Sequence, residues 1–254
     1  MVRKLLLMLA LPWLFTLVPA AEELPPLREC QTVEQVEALL LYPDGGQPVP
    51  VEAGRVRYIP QDTNNDPDFC ADYWLGGEPG DELDLTLEEN PNRIPYEYYA
   101  RNMCTRAVYS MALSYLGVDL TPGGMSAMTE RRVVTAHYDE TTDMLPQVER
   151  VSFSSYVFQN MFEAYQADEH YSPVYLYFRR PSGTTHAVLV VARREDGRYI
   201  VIDPRYREKD GETVRVYTIA LNKFGQVIVN SDFRSEQTDS VVLACCQWRL
   251  VGEE

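Results

Sequence analysis

The stretch VYLYFRRPSGTTHAVLVVARREDGRYIVIDP, residues 174–204, decides the fold, because it contains three apolar runs of strand length in a row. Between the second and the third run, Asp196-Gly197 is a typical tight reversal. The stretch therefore predicts consecutive antiparallel strands. The predicted strands are 174–178, 186–192 and 198–203.

The rest of the chain divides into helices before this stretch and strands after it. A helix is predicted at 103–116, where apolar residues recur at helical spacing, with Asn102 as its cap and Gly117 at its end. Helices followed by an antiparallel meander predict an α+β domain. The other predicted elements are a helix at 32–41 capped by Thr32, a helix within 145–167 with Phe153, Val157, Met161 and Ala164 in register, and strands at 214–221, 226–230 and 240–251.

His186 and Asp203 mark the two open ends of one predicted hairpin. His186 begins the first strand and Asp203 ends the second, so antiparallel pairing brings them to the same edge. A carboxylate there can hold one imidazole nitrogen and leave the other for a thiol. Each residue alone has an ordinary structural interpretation, as a satisfied histidine and as a strand stop before Pro204.

Cys104 stands in the first turn of the predicted helix at 103–116, at the head of its apolar stripe. Unpaired N–H groups and the helix dipole favour an anion there, so we expect a lowered thiol pKa. The alternative is an inert buried cysteine or half of a disulfide. With His186 and Asp203, Cys104 completes a nucleophile, base and orienter set. His137 and His170 lie in polar stretches and are expected at the surface.

Three segments carry a family resemblance: NMCTRAVYSMALSYLGV (102–118) followed by LTP (120–122), HAVLVV (186–191), and YIVIDP (199–204). They resemble the nucleophile helix, histidine strand and Asp-Pro strand of the bacteriocin-leader-peptidase-like (double-glycine peptidase-like) cysteine peptidases, a large bacterial group. The resemblance covers roughly 96–206. It implies a papain-like fold with the nucleophile helix packed on an antiparallel sheet. It also implies a thiol peptidase or amidase with a Cys104, His186 and Asp203 triad.

The sequence departs from that group at the oxyanion donor, a glutamine that usually precedes the cysteine. Position 98 is tyrosine, and no glutamine occurs between Gln61 and Gln147. Tyr98 or Asn102 could replace it, whereas losing such a donor typically costs ~10²–10³ in rate. Two alternatives therefore stay open: a catalytically degenerate domain that binds peptides or proteins, and a transglutaminase-like acyl transferase.

The N-terminal region has two parts. Basic residues followed by an apolar run and small residues predict a cleaved signal peptide at 1–20, hence a secreted or extracytoplasmic protein; the alternative is a retained membrane anchor. Residues 21–95 form an extension rich in turn residues, which is a pro-like segment, a cap, or part of the fold. The peptidase-like domain is expected at 96–254.

Charge and cysteine usage limit the partners. The formal net charge of −15 excludes nucleic acid and opposes binding to anionic lipid, so we expect a peptide or protein substrate and no membrane in the mature form. No spacing suggests a metal site or a cofactor. Five cysteines in an exported chain leave at least one thiol unpaired, and the pairing among the other four stays open. These four are Cys30, Cys70, Cys245 and Cys246.

Overall fold

The fold follows from a computed structural model that describes residues 24–61, 69–74, 82–83, 94–95, 103–128, 138–154, 156–205, 208–209, 212–231 and 239–252. The predicted signal peptide, Tyr98, Asn102 and His137 lie outside these ranges. In them, no helix is both long enough and apolar enough to cross a membrane. The helices are α1 (Val33–Leu39), α2 (Cys104–Tyr115), α3 (Pro122–Met128), α4 (Tyr138–Asp143) and α5 (Phe158–Ala167).

The α+β class is confirmed, because these helices accompany one large antiparallel sheet. Its strands are β3 (Val148–Ser154), β4 (Val174–Arg179), β5 (Thr185–Arg193), β6 (Tyr199–Ile202), β9 (Val216–Leu221), β10 (Val227–Ser231) and β11 (Ser240–Leu250). Two separate two-stranded ladders pair β1 (Glu82–Leu83) with β2 (Ile94–Pro95) and β7 (Glu208–Lys209) with β8 (Glu212–Thr213).

The strand order is β10-β9-β6-β5-β4-β11-β3, so the predicted meander is present. Strand β11 pairs with three other strands. Its first residues also pair with β10, its middle pairs with β4, and its last residues pair with β3. Through β11, a closed ring forms from strands β4, β5, β6, β9 and β10, and β5 is paired on both sides within it.

Helix α2 packs on β5 and is buried along almost its whole length. It ends at a glycine, as predicted: Gly117 has φ +77° and donates to the Ser114 carbonyl, while Val118 donates to the Leu113 carbonyl. This is the Schellman motif, which needs a left-handed residue. The predicted cap is wrong. Met103 takes the N-cap position and makes no side-chain cap bond.

The helix predicted within 145–167 is present, and a strand precedes it in the same segment. Residues 148–154 form the edge strand β3, and α5 begins only at Phe158. Phe153 therefore belongs to a strand and not to the helix stripe. Of the residues predicted in register, Phe153 lies on β3 and Val157 takes the N-cap position of α5, whereas Met161 and Ala164 lie in the helix. The buried face of α5 consists of Phe158, Met161, Phe162 and Tyr165.

Residues 24–61 pack against the sheet and share its core. Leu27, Val36 and Tyr58 are buried in the same apolar cluster as α2 and β5. Helix α1 has the predicted cap, with a capping box between Thr32 and Gln35. This part of the predicted extension is thus continuous with the core that surrounds the strands.

Candidate active site

The β5–β6 hairpin brings His186 and Asp203 together. His186 Nε2 lies 2.7 Å from Asp203 Oδ1, and both side chains are buried. The hairpin forms because Gly197 takes φ +84° in the reversal, which few other residues tolerate. Pairing of Leu189 with Ile202 then leaves the start of β5 beside the end of β6. The predicted meeting of these two residues is therefore observed.

Asp203 accepts further hydrogen bonds from two other groups. The Arg205 backbone N–H donates to Oδ1 at 2.8 Å, and the Tyr217 hydroxyl donates to Oδ2 at 3.1 Å. The main chain of Asp203 is held as well. Its N–H donates to the Arg215 carbonyl, and its own carbonyl accepts from the Tyr58 hydroxyl at 3.2 Å. A buried carboxylate with several donors is held in one orientation.

Bonding to Asp203 sets the tautomer of His186. A carboxylate accepts, so Nε2 carries the ring proton in the neutral form and Nδ1 is the basic nitrogen. The ring also packs edge-to-face on Phe178, its direct partner in the β4–β5 register, with centroids 5.8 Å apart. The imidazole is thus fixed both by a hydrogen bond and by an aromatic wall.

Cys104 is the first residue of α2 and is buried, with 7% of it exposed. The backbone N–H groups of Ala187 and Thr105 lie near its sulfur and favour the thiolate. Ala187 directly follows His186 on β5. The thiol at the start of α2 and the imidazole at the start of β5 are therefore brought to the same place in the fold.

Burial raises the pKa of the Cys104 thiol to about 11. The Ala187 and Thr105 N–H groups and the positive charge of Arg180 oppose this increase, and the negative charge of Asp203 adds to it. This is opposite to the lowered pKa expected from the helix start, because desolvation penalises the thiolate more than the nearby donors favour it. The thiol is protonated near neutral pH, so it needs a base to become a nucleophile.

All five cysteines are buried, and none of them forms a disulfide. The pairing that the sequence left open among Cys30, Cys70, Cys245 and Cys246 is therefore not observed. The adjacent Cys245 and Cys246 lie on β11, where successive side chains point to opposite faces. Both are fully buried, so both faces of β11 are covered at this point.

The remaining predicted site residues divide into two groups. Tyr98 and Asn102, the oxyanion candidates, lie outside the described residues, as does His137. His170 is exposed and bonds Asp168 on its own loop, as its polar surroundings suggested. Among the residues that the structure describes, no group of three or more His, Cys, Asp or Glu side chains could hold a metal ion.

Sequence reasoning missed Tyr217 and the Arg205 N–H as donors to Asp203. Tyr217 lies on β9, opposite Val201 of β6. Residues diagonal across an antiparallel pair lie on the same face, within reach of a long side chain. An apolar run predicts a strand but does not tell which residues of the neighbouring strand it faces. The sequence pattern therefore gave no indication that Tyr217 lies beside Asp203.

Comparison of the sequence with protein-family models and with curated proteins gives no match in either case.

Proposed function

We propose that the protein is a thiol hydrolase of papain-like fold, acting on peptide or amide bonds, with Cys104 as nucleophile, His186 as base and Asp203 as the residue that orients the base. One observation carries the proposal. The buried His186–Asp203 pair stands at the start of β5, and the next backbone N–H of that strand, from Ala187, lies near the Cys104 sulfur and favours its thiolate.

The proposed reaction begins with a neutral thiol and a neutral imidazole. Because the pKa of Cys104 is about 11, roughly one thiol in 10⁴ is ionised at pH 7, and His186 Nδ1 takes the proton as sulfur attacks the substrate carbonyl. The imidazolium then gives this proton to the leaving amine, and a thioester remains on Cys104. Water, deprotonated by His186, releases the acid and restores the thiol.

Asp203 stabilises the imidazolium formed in both steps. The pair is excluded from water, so the attraction between the carboxylate and the charged ring is weakly screened. Proton transfer by a positioned base such as His186 typically contributes ~10²–10⁴ in rate.

Hydrolysis is tested by replacing the proposed nucleophile in the full chain. We expect Cys104→Ala to abolish cleavage of a mixed peptide library, with products identified by mass spectrometry. Cys30→Ala is the matched control, because burial also raises the pKa of the Cys30 thiol to about 11 but its sulfur faces the Pro26 carbonyl. Cleavage that survives Cys104→Ala, or is lost equally in the control, contradicts the proposal.

Peptide binding without hydrolysis is the second candidate function, and the protonated state of the Cys104 thiol favours it. In that case the wild type binds library peptides and releases no products, and Cys104→Ala binds them equally. Acyl transfer is distinguished in the same assay by adding a primary amine: a transferase yields the amide of that amine, whereas a hydrolase yields the free acid.

The remaining elements of the proposal concern location and partners. We propose an exported protein that acts on peptide or protein substrates outside the cytoplasm, on the basis of the basic and apolar N-terminal sequence and the acidic composition. Detection of a mature chain beginning at Ala21 by N-terminal sequencing of the exported protein tests this part.

A further inference from the structure

The Asp203 carboxylate cannot be hydrated by bulk water, because Asp203 is fully buried. A buried carboxylate costs free energy unless protein donors replace its water, and it rotates about its Cβ–Cγ bond unless both oxygens are held. Oδ1 accepts from His186 and from the Arg205 backbone. Oδ2 accepts from the hydroxyl of Tyr217.

The position of Tyr217 is determined by the sheet. It pairs with Val201 across β6 and β9, and the ladder continues through the bond from the Asp203 N–H to the Arg215 carbonyl. Asp203 and Tyr217 therefore lie diagonally on one face of two paired strands. Tyr217 is 8% exposed, so its hydroxyl reaches Oδ2 from a buried ring on a rigid element.

We propose that Tyr217 is a positioning residue of the site, whose hydroxyl holds Asp203 Oδ2 so that Oδ1 stays directed at His186 Nε2. The effect of Tyr217 on catalysis rests on the proposed function. The role itself concerns how readily the His186–Asp203 pair takes up a proton, which is measurable without hydrolysis.

The chemistry gives the direction of the effect. A donor to a carboxylate lowers its affinity for a proton and for a protonated neighbour. Without the hydroxyl, the His186–Asp203 pair binds a proton more tightly, whichever member carries it, and the base is lost at a higher pH. The other titratable or charged groups on the elements around the pair are Cys104, Tyr58, Arg180, Arg205 and Arg215.

The experiment measures the rate of Cys104 alkylation by iodoacetamide from pH 4 to 9 in the full chain, mapped to the Cys104 peptide by mass spectrometry. The acidic limb is the pH range in which this rate falls because the His186–Asp203 pair takes up a proton. We expect Tyr217→Phe to move the midpoint of the limb upward by about one pH unit, the size expected for a hydrogen bond to a charged group. Tyr165→Phe is the matched control: it removes another buried tyrosine hydroxyl, which donates to the Val191 carbonyl on β5. The control should leave the limb in place.

A second substitution keeps the test independent of folding. Incorporation of 3-fluorotyrosine at position 217 retains the shape and makes the hydroxyl a stronger donor, so the limb should move downward. A structural role would not reverse the sign. An unmoved limb in folded Tyr217→Phe, or shifts of the same sign in both variants, would overturn the inference.

The outcomes also separate this inference from the proposed function. A limb that depends on His186 but not on Tyr217 contradicts the inference alone. A limb unchanged in His186→Gln contradicts the base assignment, and the role of Tyr217 with it. A limb that moves with Tyr217 in a chain that cleaves no peptide supports the inference and contradicts hydrolysis.

Discussion

Two histidine–aspartate pairs in this protein have the same N···O distance, but one is buried and the other is exposed to water. His186 and Asp203 are 2.7 Å apart, and so are His170 and Asp168. The first pair joins two strands and is buried, with side-chain exposures of 3% and 0%, whereas the second spans two residues of a loop, with exposures of 60% and 47%. The distance between the two atoms therefore does not by itself indicate a functional pair.

The two aspartates serve different parts of the fold. Asp168 accepts from both the backbone and the ring of His170, and these bonds lower its pKa. This pair stabilises its own loop, in contact with water that screens it. Asp203 accepts from groups on separate elements, beside the start of α2. Convergence of groups from separate elements, in the absence of water, distinguishes the candidate site.

The largest expected difference between the pairs is in catalysis. His186→Gln should lower peptide hydrolysis by about 10²–10⁴, because the proton acceptor for Cys104 is lost. His170→Gln should stay within about twofold, because the exposed ring contacts only its loop neighbours. Steady-state hydrolysis rates on one substrate check both. Equal losses of activity in the two variants would contradict a catalytic role that is specific to His186.

The next difference is in stability. Asp203→Ala leaves the Arg205 N–H, the Tyr217 hydroxyl and the His186 N–H without that buried acceptor, which should cost about 3 kcal/mol in the free energy of unfolding. Asp168→Ala removes an exposed pair and should cost less than about 1 kcal/mol. Urea unfolding at pH 7 measures both. Similar costs would mean that burial does not distinguish the pairs.

The last prediction concerns thiols and alkaline pH, and its effect vanishes near neutral pH. Burial raises the pKa of Cys104 to about 11 and that of Cys245 to about 12, above the value of 9.0 for an unperturbed thiol. The unfolded chain therefore loses these protons first. Their contribution to stability is complete below pH 9 and is lost as the pH rises from about 9 towards 11 and 12, at about 1.4 kcal/mol per pH unit and thiol.

Urea unfolding between pH 8 and pH 10.5 measures this slope. Cys245→Ala should be less stable than the wild type at every pH. Its unfolding free energy should also fall less steeply with pH, because one thiol with a raised pKa has been removed. Unfolding free energies that stay constant up to pH 10.5 in the wild type would contradict the pKa increase at both cysteines. Cys104→Ala then isolates the Cys104 contribution from those of Cys245 and of Cys30, whose pKa is also raised to about 11.

Residues 24–61 connect the core to the candidate site. The Tyr58 hydroxyl holds the Asp203 carbonyl, and the Gln61 N–H bonds the Pro204 carbonyl. Arg57 is buried on the ring of Tyr73 and pairs with Asp119 at 2.7 Å, just after α2. These contacts support the alternative that this part of the extension completes the fold.

Local features of the site could be predicted because they depend on short-range patterns. The apolar runs of strand length and the Asp196-Gly197 reversal were enough to place His186 beside Asp203. Helical spacing predicted the helix that begins at Cys104, within one residue. The failures come from tertiary contacts: Met103 takes the cap position assigned to Asn102, and Phe153 lies on an edge strand that pairs with β11.

The amino-acid sequence by itself determined the helix that begins at Cys104 and the hairpin that joins His186 to Asp203, because periodicity and backbone sterics act over a few residues. Only the tertiary structure decided three other properties: that the five cysteines form no disulfide, the protonated state of Cys104, and the donation from Tyr217 to Asp203. These depend on which distant groups pack against a residue and how far they exclude water. That information is contained in the register and packing of the sheet.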